Sequence, residues 1–396
     1  MNDWPKVRLG EVLTERRETP LPDDLDSGRV QIIEKIRFST GQIQLRSSGS
    51  TKTGMILIRP GDFVVSGINA AKGAVAIYDD TEQEPVAATI HYGAYIPNHD
   101  RVDARFLWWM LRSRFFQGLL LEYVPGGIKT ELKAKRLLPI PVPLPPLAEQ
   151  QRIVAQIEGL TAQINEAHTL RQQAVEEADA LLSAEMHHVF DFKDASTTKV
   201  GNYARVQGGY AFSSGAYVEQ GSHQVVRIGN VRDGYLDLSR APVRWNPHGD
   251  ERVLRYELKP GDIIISMTGT REKRDYGYVA KVPEGVHLLL NQRVGRFILQ
   301  REIDKNYLFQ FLRSPFFRDR LFPSATGTAN QANVGNDDIE KITFVPPLIS
   351  DQHRIVAELD ALQAEVDSLK RMQAETAAEL DALLPAILDR AFKGEL

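Results

Sequence analysis

Four stretches of this chain each recur in similar form. Arg59-Pro60-Gly61-Asp62-Phe63-Val64-Val65-Ser66 returns as Lys259-Pro260-Gly261-Asp262-Ile263-Ile264-Ile265-Ser266, and Phe106-Leu107-Trp108-Trp109-Met110-Leu111-Arg112-Ser113 returns as Tyr307-Leu308-Phe309-Gln310-Phe311-Leu312-Arg313-Ser314. Each of the latter is followed by a Phe-Phe pair, Phe115-Phe116 and Phe316-Phe317. Further on, Pro145-Pro146-Leu147 recurs as Pro346-Pro347-Leu348, and Arg152-Ile153-Val154-Ala155 as Arg354-Ile355-Val356-Ala357. The order is the same in both halves, so the architecture is a duplication. Each half reads as a Pro-Gly turn into a buried strand, a short helix, a proline run and a long helix.

The long helices follow from spacing. Ile355, Leu359, Leu362, Val366 and Leu369 fall in alternate steps of four and three, and Leu380, Leu383 and Ile387 resume the pattern after Gln373 and Thr376. That is the seam of a coiled coil. The first helix offers Ile153, Ile157, Leu160, Ile164 and Ala167, then continues through Ala174, Ala178 and Leu181. About forty helical residues extend about 60 Å, more than a small domain needs internally. Like helices of a duplicated chain pair about a pseudo-twofold axis, which makes them antiparallel. Pro139, Pro141, Pro143, Pro145 and Pro146 hold the entry to the first helix extended.

The expected fold is therefore α+β: a tandem pseudo-twofold repeat of two globular α/β domains joined by two long helices in an antiparallel coiled coil. The segments are residues 1–147 (domain 1), 148–194 (helix 1), 195–348 (domain 2) and 349–396 (helix 2). Their net charges are +2, −6, +5 and −5, within a total of −4. A polyanion would meet the globular blocks and avoid the helices.

The sequence lacks the motifs of several chemistries. There is no cysteine, hence neither disulfides nor a cysteine-ligated zinc site. Both Pro-Pro pairs sit between aliphatic residues, Leu144 and Leu147 or Val345 and Leu348, and not in the Asp/Asn-Pro-Pro-aromatic setting with which adenine methyltransferases hold a flipped base. No Gly-x-x-x-x-Gly-Lys-Ser/Thr loop and no His-Glu-x-x-His pair occur. Glu131-Leu132-Lys133 and Glu257-Leu258-Lys259 fit a loose nuclease pattern but lack an upstream Asp in a matching strand, and are assigned to the surface. His187 and His188 are adjacent on a helix and cannot face one metal together. No catalytic, cofactor-binding or metal-ligating residue is expected. The opening residues, Met1 to Lys6, lack the regions of a signal peptide, which points to the cytoplasm.

The Pro-Gly-Asp strands at Pro60–Asp62 and Pro260–Asp262 and the junction from Pro141 through Pro145-Pro146-Leu147-Ala148-Glu149-Gln150-Gln151-Arg152-Ile153-Val154, repeated more loosely at 345–356, resemble the specificity subunits of type I restriction-modification systems. The resemblance covers nearly the whole chain. It implies two target recognition domains, each reading one half of a bipartite double-stranded DNA target. It implies helices that set the unread spacer and bind methylation subunits, two of them, with restriction subunits completing the complex. S-adenosylmethionine, ATP and Mg would serve those partners, and this chain would be non-catalytic. The second junction departs from the first, with Ile349-Ser350-Asp351-Gln352 in place of Ala148-Glu149-Gln150.

DNA affinity comes from Lys and Arg on phosphates, and specificity from Arg on guanine or Asn and Gln on adenine. Around predicted strand ends, the candidates in domain 1 are Lys35, Arg37, Lys52, Asn69, Lys72 and Lys129, the last in the loop Gly126-Gly127-Ile128-Lys129-Thr130. In domain 2 they are Arg227, Asn230, Arg232, Thr268, Thr270, Arg271, Lys273, Arg274, Asn330, Gln331 and Asn333. The alternative reading is a coiled-coil scaffold with two protein- or ligand-binding end domains, which leaves the basic loops without a role.

Overall fold

The computed structural model describes residues 4–46, 53–78, 84–191, 196–247, 250–328 and 330–396. It divides into two compact units, one of residues 1–171 and 373–396, the other of residues 172–372.

In the first unit the strands Leu13–Glu15, Tyr92–Pro97, Phe63–Ser66 and Val75–Ile77 form one antiparallel sheet in that order. Ile43–Arg46, Gln31–Ile36, Val86–Thr89 and Met55–Ile58 form a second, whose central pair is parallel. The repeated strand shows why its apolar run is continuous. Val64 packs with Ile33, Ile58 and Val86 between the sheets, whereas Phe63 and Val65 pack with Phe106 and Leu107 of the helix Ala104–Leu111 on the opposite face. A strand covered on both faces has no solvent side to mark with polar residues.

The second unit repeats this order strand for strand. Ala204–Gly208, Val294–Leu299, Ile263–Ser266 and Val279–Lys281 make the antiparallel sheet; Arg244–Trp245, His223–Val226, Leu288–Leu290 and Glu257–Leu258 make the mixed one, again with a parallel central pair. Ile264 faces the second sheet, and Ile263 and Ile265 face Tyr307 and Leu308 of the helix Lys305–Arg313.

The repeated motifs act alike. Gly61 (φ 84°) and Gly261 (φ 77°) take the left-handed conformation that closes the turn. The following aspartate accepts the amide three residues back, Arg59 N at 2.8 Å and Lys259 N at 2.9 Å. Its other partner is an arginine from a different place in each unit: Arg16 at 2.6 Å from Asp62, and Arg296 at 3.2 Å from Asp262. Ser113 and Ser314 both cap the helix that follows, accepting from Phe116 N and Phe317 N. Gln150 and Gln352, both buried, occupy the same place at the start of the long helices. Each accepts the amide of the aspartate that caps the short helix, Asp103 at 2.9 Å or Asp304 at 2.8 Å, and donates to the proline carbonyl five residues earlier. The divergent second junction thus keeps its glutamine.

The proline run is an edge strand in the first unit, Pro141–Pro143 paired antiparallel with Lys6–Arg8. The long helices span Leu147–Phe190 and Ile349–Phe392, and the compact units divide both between them. Within the first unit the two run antiparallel, with Arg152 donating to the Leu396 carbonyl at 2.9 Å and His168 3.4 Å from Asp381. Within the second they again run antiparallel: Asp179 meets Lys370 at 2.6 Å, and Leu182, Met186 and Phe190 share a core with Ile355, Leu359 and Val366. Two expected seam residues are displaced. Leu181 (58% exposed) and Leu383 (46% exposed) face solvent, and Leu182 and Leu384 take their places. From Ala178 the buried positions step by four to Leu182, Met186 and Phe190, a stripe that drifts round the helix and docks on the globular core of its own unit. Among the described residues, no helix is long and apolar enough to cross a membrane.

Candidate nucleic-acid interface

The second unit contains one sheet for which the first has no counterpart among its described strands. Thr268–Gly269, Gln331–Asn333 and Thr326–Thr328 form a three-stranded antiparallel ribbon, with Thr268 opposite Asn333 and Thr328 opposite Gln331. The Thr268 hydroxyl donates to the Asn333 side-chain oxygen at 2.9 Å. Asn330 and Gln331 are exposed at the hairpin end. Two candidate groups far apart in sequence thus become one surface.

The basic turn Arg271–Arg274 continues directly from this ribbon. Its start is fixed by Asp275, which accepts from the Thr270 amide and, at 3.0 Å, from the Thr270 hydroxyl. Burial pushes the Asp275 carboxyl up, but those hydrogen bonds and the charge of Lys273 outweigh it and hold the group below its ordinary value. Arg274 closes the turn at φ 48°, a left-handed conformation rare outside glycine, with its amide donating to the Thr270 carbonyl at 3.0 Å. Arg271 donates to the Ala325 carbonyl at 2.8 Å, at the foot of the hairpin, and Lys273 is exposed. The result is a ribbon with amide side chains at its tip and three cations beside it. Its outer hairpin, Thr326–Thr328 paired with Gln331–Asn333, is two-stranded and so narrow enough for a DNA major groove, and Asn or Gln amides match the adenine edge there.

Two of the remaining candidates of this unit, Arg227 and Asn230, line a neighbouring cleft of about 420 Å³. Asn230 is buried and fully used: its side-chain oxygen accepts Arg227 N at 2.9 Å, and its amide donates to the carbonyls of Asp237 and Arg240 at 3.0 and 2.8 Å. It organises the loop and has no amide group left for a base. Arg227 lines the cleft while donating to the Ala241 carbonyl at 2.6 Å; Arg232 is half-buried in the adjoining turn. Arg240, Asn291, Gln292 and Arg293 also line the cleft, with Phe212 and Tyr217, and none of its lining residues is acidic. Sequence reasoning missed Arg240 and Arg293. The signal available was the polar turn Asn291-Gln292-Arg293 between two strands.

In the first unit Arg37, Asn69 and Lys72 gather around one loop. The Lys72 ammonium lies 5.8 Å from the ring of Phe38, itself exposed beside Arg37 at a hairpin turn. That turn is held from below by Arg112, which donates to the carbonyls of Phe38 and Ser39 and lies 4.0 Å over the Trp108 ring. Burial, with the nearby charge of Arg105, pushes the Arg112 guanidinium down to about 10. Asn69 is half-buried, its backbone carbonyl accepting from Lys72 N and Ala74 N. Lys129 is exposed in the single turn Gly127–Lys129, whose loop is tied back through Leu132 N to the Gly67 carbonyl at 2.8 Å. Lys35 is exposed on the strand Gln31–Ile36, beside its register shift. Lys52 lies outside the described residues. Glu131 is engaged by His91 at 2.9 Å and Lys133 at 3.7 Å, and the His91 hydrogen bond leads in holding its carboxyl below the usual range.

The profile of the type I restriction modification DNA specificity domain matches this chain twice, over residues 1–177 and 193–377. The chain belongs to that family. It is a type I restriction-modification specificity subunit, whose work is DNA sequence recognition. It is 21% identical to the EcoKI specificity subunit of Escherichia coli K12 over 86% of this chain and 75% of that one. It is 26% identical to the MjaVIII specificity subunit of Methanocaldococcus jannaschii over 69% and 66%. A chain from a solved structure concerning complex assembly and conformational transition of the type I R-M system superposes with a TM-score of 0.74 at 23% identity, covering 100% of this chain and 99% of the other. The HsdS subunit from Thermoanaerobacter tengcongensis superposes with a TM-score of 0.61 at 24% identity over 100% and 98%. These likenesses establish the shared fold of the specificity subunit, including two repeated domains and two long helices.

Proposed function

We propose that this specificity subunit reads a two-part double-stranded DNA target, one part with each unit. In the second unit the reading surface is the ribbon of Thr268, Asn330, Gln331 and Asn333, with Thr270, Arg271, Lys273 and Arg274 on the adjoining phosphates. Arg227 and Arg232 contribute from the neighbouring cleft, where Asn230 shapes the loop. In the first unit Lys35, Arg37, Asn69, Lys72 and Lys129 serve, with Lys52 beside them in sequence. The long helices fix the separation of the two parts and seat methylation subunits, two per complex, with restriction subunits completing the assembly in the cytoplasm. This chain is non-catalytic and takes no S-adenosylmethionine, ATP or Mg for catalysis; its partners do.

The observation that carries this reading is the convergence at the ribbon: Thr268–Arg274 and Thr326–Asn333 meet through paired backbone and a side-chain hydrogen bond. Bases are read by such donors and acceptors, and phosphates by the cations beside them. The test is co-expression with the neighbouring methylation subunit and methylome sequencing with and without this chain. Methylated adenines in a two-part motif that depend on the chain are expected. Methylation unchanged by its removal would overturn the reading in favour of a scaffold.

A further inference from the structure

Away from the ribbon, the mixed sheet of the second unit brings three side chains to one point. The parallel register pairs Gln224 with Leu288, so His223 stands beside His287; the antiparallel register pairs Glu257 with Leu289, two residues on from His287. Side chains two apart share a sheet face. His223 Nε2 lies 3.2 Å and His287 Nδ1 3.7 Å from the same oxygen, Oε1 of Glu257, and all three donor atoms lie within 4.8 Å of one another. The imidazole rings stand 5.3 Å apart, tilted by 58°.

We propose that His223, Glu257 and His287 bind one divalent transition-metal ion of the Zn²⁺ class. Bonds of about 2.0–2.1 Å to imidazole nitrogen and carboxylate oxygen in a tetrahedron set the ligands about 3.3 Å apart. The two measured separations from Glu257 bracket that value, and His287, 73% exposed, is free to rotate the remaining distance. Ser222 Oγ is 2.8 Å from His223 Nδ1, leaving Nε2 aimed at the carboxylate, as the outer partners of ligating histidines do. His223 is held by its surroundings, only 14% exposed. Two imidazoles and one carboxylate favour zinc, copper or nickel over magnesium or calcium, which prefer all-oxygen sets.

The ion would act as a clip. It would fasten the strands His223–Val226 and Glu257–Leu258 to each other across Leu288–Leu290, which lies between them. Three protein ligands leave a fourth position for water. The site would therefore stabilise this sheet independently of DNA reading.

The test is equilibrium dialysis of the full chain against micromolar Zn²⁺, with metal counted by mass spectrometry for the wild type, H287A, H223A and E257Q, and thermal unfolding with Zn²⁺ or Mg²⁺. Because His287 is mostly exposed, H287A leaves the sheet intact even if H223A does not fold. The wild type is expected to retain one more zinc per chain than H287A, and to gain a Zn²⁺-dependent rise in Tm that H287A and E257Q lack and Mg²⁺ does not reproduce. Equal zinc in wild type and H287A would mean that other histidines among the nine bind it adventitiously, and would overturn the proposal. So would the absence of retained zinc.

Discussion

In the first unit, Leu132 returns to the repeated strand with one backbone bond to Gly67; in the second, Val334 returns to Met267 with the equivalent bond, at 2.9 Å. The similarity stops there. The second chain segment goes on to pair Asn333 with Thr268 and Ala332 with Gly269 and builds a ribbon, whereas the first makes the single turn Gly127–Lys129 and ties Glu131 to His91. Beyond that anchor, the side-chain bonds described in both repeats lie in the frame: the aspartate on its turn, the serine cap, the buried glutamine. Recognition surfaces diverge by extending loops from a fixed anchor, so a subunit can change what it reads without rebuilding its core.

The largest expected effect is on the frame. Asp62 is 1% exposed, so D62A, which removes the turn bond from Arg59 N and leaves the partly buried Arg16 with Glu18 alone, should cost about 2–3 kcal/mol in denaturant unfolding. D262A should cost less, because the Asp262–Arg296 contact is longer and Asp262 itself more exposed; equal losses would show that the two turns are equivalent after all. Next, R271A/K273A/R274A should weaken DNA binding on the order of 100-fold near physiological salt and make the log–log salt slope shallower by about 2–3. K72A/K129A should change the slope by about 1–2, and a loss as large as that of the triple variant would contradict the asymmetry between the units. N230A should cost about 2 kcal/mol in thermal unfolding, since three backbone partners lose their bonds, while leaving the salt slope unchanged. Q150A, which takes three backbone partners from a fully buried amide, should cost about 2 kcal/mol, and the smallest effect, about 1 kcal/mol, is expected for Q352A. Q150A should be the more severe, because Gln150 also donates to the Arg101 carbonyl.

The repeat was legible because turns and buried strands impose their chemistry locally: Pro-Gly-Asp closes a turn in both units, and Phe63-Val64-Val65 must be apolar at every position when both faces are covered. The helix seam was legible only in part. Spacing gives Ile355, Leu359 and Val366, but Leu181 and Leu383 are exposed because each helix also docks on a globular core, which heptad counting does not see. For the interface, residue type marked the basic turn and the Asn-rich hairpin but not that they pair, since strand pairing across a long separation leaves no trace in composition. The same limit hid Arg293, which reaches its cleft from a turn between strands of two different sheets, and the cluster of His223, Glu257 and His287, whose members meet through two different strand registers. Asn230 illustrates the opposite error. An amide in a polar loop reads as a base contact until its three backbone partners are placed.

The most direct test of the central claim is the methylome written by the subunit carrying Q331A/N333A, co-expressed with its neighbouring methylation subunit. The expected result is a two-part motif relaxed at positions within one part only, with the other part and the spacer unchanged. Loss of specificity in both parts, or an unchanged motif, would contradict it.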